Sequence, residues 1–239
     1  DPAAGLEGRA LLVLHPLWDL PDSVVRQVLG RLERWNAVTA SPSISANPWL
    51  VPHDSLHPQI RTYLVGALSS RLGNDVGARH HAAELLRLDT ATTQGVVGRA
   101  LGHEILAYAE ARAGRPAEAL AQLDQSSLRG PQARVWQRAY SSPFMSQAQA
   151  RYFRAGILSD LERDTQALRW YRSLWMANAF DLALLAPAHL RQAEIEERAG
   201  HRQSALHHYR AFAALWREAD PELRWRVDRV ESSIAELAQ

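Results

Sequence analysis

The 239-residue sequence has no cysteine and no lysine. Without cysteine there is no disulfide, no thiolate nucleophile and no Cys-ligated zinc, and the redox compartment stays open. Without lysine there is no Schiff base, no pyridoxal phosphate anchor, no phosphate-loop Lys and no kinase strand Lys, because each needs an amine that a guanidinium cannot replace. All 27 basic side chains are therefore Arg, the bias expected from codon usage if the genome is a GC-rich bacterial one. Long apolar runs are missing too, since none approaches the roughly 20 residues that span a bilayer. Nor is one sign of charge in excess: the formal net charge is +1, with acids and bases mixed along the chain. A broad field for nucleic acid or anionic membrane is not expected. Alternating strand patterns are scarce, and Ala, Leu, Arg, Glu and Gln dominate, which makes the class all-α. The chain opens Asp1-Pro2 without Met, which fits a processed form or a fragment and leaves cytoplasmic and exported locations both open.

What the chain does have is a fourfold pattern, a break followed five residues later by Ala. The pairs are Gly73 with Ala78, Gly114 with Ala119, Glu162 with Ala167 and Gly200 with Ala205. Each break joins two helix-like runs, which predicts antiparallel hairpins at 58–72 with 75–88, 94–113 with 116–126, 144–162 with 165–178, and 184–199 with 202–219. Gly at a break takes the positive φ that ends a helix, and Ala lets two backbones approach. Ala82, Leu85, Leu123, Tyr171, Leu174, Tyr209 and Phe212 follow one turn later and are expected to fill the space between hairpins. Equivalent Ala residues are 41, 48 and 38 positions apart, so the extra length falls in an insertion at 126–143.

Before the hairpins, 1–57 reads as an N-terminal helical segment followed by a Pro- and Ser-rich loop. A helix is expected over 6–18, stopped by Pro21, and a second is capped by Asp22 or Ser23. The loop at 39–58 carries Pro42, Pro48, Pro52 and Pro58, with Trp49, Leu50 and Val51 as its anchors. After the hairpins, Asp220-Pro221 opens a capping helix over 221–237, within a terminal segment 220–239.

The breaks, the Ala positions and the aromatics behind them resemble the tetratricopeptide repeat family across roughly 58–221. The match is fullest at Ala193, Gly200, Ala205, Tyr209, Phe212 and Pro221. Leu215 to Leu223 before a last amphipathic helix is similar to C-terminal repeat regions of large bacterial multidomain proteins. The resemblance implies a right-handed α-α superhelix whose first helices line a concave groove for a protein or peptide. Carried over position by position, the groove set is Tyr63, Arg71, Glu104, Tyr108, Arg112, Gln149, Tyr152, Glu194, Glu197 and Arg198. Tyr is a rigid contact and Arg forks a carboxylate, so the set suits partner recognition; packing between helices is the alternative for its tyrosines. Families that clamp terminal carboxylates use Lys and Asn there, so chaperone-tail binding is not implied.

A non-catalytic interaction scaffold is thus the leading expectation. Two alternatives stand beside it: a self-assembling structural subunit, and an enzyme using His53, His57 or His103 with Glu104 between the N-terminal helices and the repeats. No cofactor and no metal are expected. The adjacent pairs His80-His81 and His207-His208 diverge by about 100° on a helix, and Gly200 ends the helix of Glu194 and Glu197 before His201. Arg and Trp neighbours such as Trp170-Tyr171-Arg172 are expected to make local cation-π contacts instead of stacking on nucleic acid.

Overall fold

The computed structural model describes residues 2–37, 53–126, 143–175 and 179–239, and among them there is helix and turn but no strand. The chain divides into two compact units, Asp1–Gln147 and Ala148–Gln239. The anchors Trp49, Leu50 and Val51, and nearly all of the 126–143 insertion, lie outside the described residues.

Unit 1 begins with α1 (Pro2–Val13) and α2 (Asp22–Arg34). Helix α1 ends sooner than expected, because Pro16 disfavours helical geometry at the residue before it. At α2 the N-cap is Pro21 with no side-chain cap bond, so Asp22 sits in the first turn and acts through the helix dipole. A 3-10 turn (His53–Leu56) leads into α3 (His57–Arg71), then come α4 (Asp75–Leu86), α5 (Thr93–Arg112), α6 (Pro116–Ser126) and the short α7 (Pro143–Ser146). Asn74 and Thr92 cap α4 and α5 by accepting from the Gly77 and Gly95 amides. One core joins α1 to α5 with Phe144 of α7, and Val25, Val28, Leu32, Ile60, Leu64, Leu68, Ala82, Leu101 and Ile105 are buried in it.

Unit 2 holds α8 (Ala148–Asp160), α9 (Asp164–Arg172), α10 (Leu182–Arg198), α11 (Arg202–Leu215) and α12 (Arg224–Ala238). The expected helix over 144–162 is interrupted at Gln147, which takes φ 53°. Asp220 precedes a 3-10 turn (Pro221–Leu223) and makes no side-chain cap bond, so the last α-helix starts later than Pro221 suggests. Buried Asp181 pairs with Arg151, tying the entrance of α10 to α8.

All four breaks adopt the same conformation. Gly73, Gly114, Glu162 and Gly200 have φ of 78°, 73°, 58° and 75°. Each is followed by the same two bonds, from the break residue to the carbonyl three back and from the next residue to the carbonyl five back. This is the Schellman ending of a helix. Ala78, Ala119, Ala167 and Ala205 are all 0 % exposed, and the large side chains that follow them are buried as well. Glu162 carries a Cβ in a region that costs an L-residue about 1 kcal/mol or more. Glu162→Gly is therefore expected to raise the urea midpoint, by about 1 kcal/mol of stability. Gly200→Ala should lower it by a similar amount; a Cβ there meets nothing within 4 Å, so the cost is conformational alone. Equal midpoints for both variants and the parent would contradict this assignment.

Candidate functional site

Helices α10 and α12, with Tyr209 from α11, enclose a cleft of about 530 Å³ in unit 2. Arg191, Arg198, Arg226 and Arg229 line it with Glu194 and Glu197, so it is net positive. Helical spacing produces the row on α10: Arg191, Glu194 and Arg198 recur three and four residues apart and share one face. Arg191 is paired to Glu194 at 2.7 Å. Arg198 reaches across to Asp164 at 3.3 Å and the Ser159 hydroxyl at 3.1 Å. The Tyr209 hydroxyl donates to Glu197 at 2.5 Å; burial first, and then this bond, hold the phenol well above its ordinary pKa. On the facing helix Arg226 lies over the Trp225 ring at 4.4 Å, and Trp225 is 52 % exposed. Arg229 is exposed and has no ion-pair partner among the described residues.

Of the ten residues expected in a groove, Glu194, Glu197 and Arg198 line this cleft. Tyr63 and Tyr152 are buried, Tyr63 with its hydroxyl 3.3 Å from that of Tyr108 and Tyr152 edge-on to Tyr171. Packing between helices is what these two rings do. Arg71 donates to the carbonyls of Val13 and Leu20, so its fork pins the segment between α1 and α2. Arg112 is exposed beside Gly73, and Gln149 is half-buried at the start of α8. The expected groove set left out Arg191 on α10, and also Trp225, Arg226 and Arg229 on α12, which reads as a plain cap. The signal for the α12 residues was Arg224-Trp-Arg226, an exposed aromatic among arginines.

Glu104 is buried in unit 1, with hydrogen bonds from Tyr63 and Gln147. Burial pushes its carboxyl up to about 8, against the pull of those bonds, so it is mostly protonated at neutral pH. His103 bonds Gln122 instead, at 2.9 Å. The His/Glu grouping expected around Glu104 is therefore not formed there; His53 and His57 meet Glu7, a residue of α1. His80 and His81, expected to diverge, both reach Glu84, at 3.4 and 2.8 Å. In unit 2 His208 bonds His189, Nδ1 to Nδ1 at 2.9 Å, while its ring also meets that of His207 edge-on at 5.1 Å.

The chain matches no family model, no curated protein and no solved structure. Among the described residues, no helix is long and apolar enough to cross a membrane.

Proposed function

We propose that this chain is a non-catalytic interaction module that binds an acidic peptide segment of a protein partner in the α10–α12 cleft. The observation that carries the reading is the exposed pair Trp225 and Arg229 in a net-positive cleft. A rigid aromatic offers apolar area at low entropic cost, and an unpaired guanidinium takes a carboxylate bidentately. The four hairpins with Schellman breaks and buried Ala support the tetratricopeptide-like reading, and with it a right-handed superhelical stack closed by α12. In that arrangement α10 supplies the first helix of the last hairpin, the position from which such repeats present their contact residues.

The test is fluorescence anisotropy with a short labelled peptide rich in Asp and Glu, against a Lys-rich peptide of the same length. The acidic peptide should bind and the basic one should not. Arg198→Glu combined with Arg229→Glu should weaken binding at least about tenfold, a loss near 1.4 kcal/mol. Unchanged affinity in that variant, or equal binding of the two peptides, would remove the proposal.

A further inference from the structure

A second cluster lies in unit 1. Glu7 comes from α1, His53 from the 3-10 turn and His57 from the first turn of α3. The run His53-Asp-Ser-Leu-His57 passes from a 3-10 turn into a helix, which brings both imidazoles to one side. Their ring centres are 5.5 Å apart and the planes nearly perpendicular. Trp35 meets the His57 ring edge-on at 5.3 Å, and Phe144 stacks on His53 at 6.2 Å, so the surroundings are largely apolar.

The Glu7 carboxyl is only 6 % exposed. Its Oε2 is 2.6 Å from His53 Nε2, a hydrogen bond, but its Oε1 is 3.7 Å from His57 Nε2 and has no hydrogen-bond partner. Leaving a buried carboxylate oxygen unsatisfied is costly. The gap is too long for a hydrogen bond and close to what one ion can span: two ligands about 2.0–2.2 Å from a zinc ion stand about 3.4 Å apart at a tetrahedral angle. One potential ligand atom from each residue lies within 4.8 Å of the other two.

We infer that Glu7, His53 and His57 bind one divalent transition-metal ion, zinc foremost, through two imidazole nitrogens and one carboxylate oxygen. This donor set favours zinc and its neighbours over magnesium and calcium, which take oxygen ligands. To reach ordinary Zn–N and Zn–O lengths, the His53 ring, at 2.6 Å, parts from the carboxylate and the His57 ring, at 3.7 Å, closes on it, each by under about 1 Å and within the reach of side-chain rotation. Three protein ligands leave the fourth position to water, and His53 and His57, at 26 % and 14 % exposure, leave the ion a way in. The cluster of His80, His81 and Glu84 is a solvent-exposed counterpart on one helix, without a buried unsatisfied oxygen, and serves as the internal control.

Isothermal titration of the full chain with zinc chloride in excess magnesium should show one tight zinc per chain. Glu7→Gln and His57→Ala should each weaken it by more than about 100-fold, since even outer-shell changes at zinc sites cost 10- to 100-fold. His80→Ala with His81→Ala should leave the tight site unchanged. Circular dichroism checks folding of each variant. If His57→Ala does not fold, X-ray absorption at the zinc edge of the parent protein decides: two imidazoles with oxygen ligands support the site, and any other imidazole count overturns it. Absence of tight zinc, its survival in Glu7→Gln, or its loss in the His80 and His81 variant would each overturn the inference.

Discussion

Glu104→Gln is expected to become steadily more stable than the parent protein as the pH rises from about 4.5 to about 8. Burial raises the folded-state pKa of the carboxyl from its ordinary 4.5 to about 8. Below about 4.5 it is protonated in both states and contributes its full hydrogen bonding. Above that the unfolded chain ionises while the folded chain cannot, so stability drains away at about 1.4 kcal/mol per pH unit until the folded carboxyl ionises too. The loss across the window is on the order of 5 kcal/mol, and glutamine, of the same shape and without a charge to desolvate, does not suffer it. Urea unfolding at pH 5, 6.5 and 8 reads the difference directly. A gap between variant and parent that does not change with pH would show that Glu104 is ionised in the fold or has unpartnered room to relax.

The opposite dependence is expected in unit 2. Burial first, and then the neighbours His189 and His207, hold His208 down to about 4, with Glu196 opposing and Arg172 adding to the shift. His189 is lowered as well, by burial and then by His207. The Nδ1 to Nδ1 bond requires one ring to donate and the other to accept, so the accepting ring must stay neutral. A depressed folded pKa for a base means stability that is complete above about 6.5 and is lost as the pH falls towards 4, because the unfolded histidine takes its proton first. The loss is on the order of 3 kcal/mol. Hydrogen exchange of α10 and α11 amides should accelerate between pH 6.5 and 4 beyond the intrinsic rate change, and His208→Gln should abolish the excess. Identical protection profiles for the two proteins over that range would refute this role for the pair.

The two acid–base signatures differ in how legible they are. Glu104 stands on a helix beside apolar neighbours, yet its partner Gln147 is 43 positions away, and nothing local marks the pair. The hairpins, in contrast, were readable because each is local: a helix ending, a reversal and an Ala within a few residues. Even Glu162, which lacks the glycine signal, was placed by register with the other three breaks. Gln147 had no such register to betray it, and its positive φ breaks a helix that the pattern would run through. The tyrosines show a different limit. Tyr63 and Tyr152 recur on the first helix of a hairpin, but spacing assigns a residue to a face without saying which neighbour covers that face. Glu7 and His53 were farther out of reach, 46 positions apart with no motif linking them.

The order of the hairpins has a kinetic consequence. In each one, two helices meet across a tight reversal, so the loop closed is short and its entropy cost small. A chain assembled mainly from such nearest-neighbour contacts reaches its folding barrier quickly compared with one that must pair distant strands. On the ribosome, α3 and α4 can dock while α8 to α12 are still unmade, and the first core is in place before the arginine cleft has been synthesised.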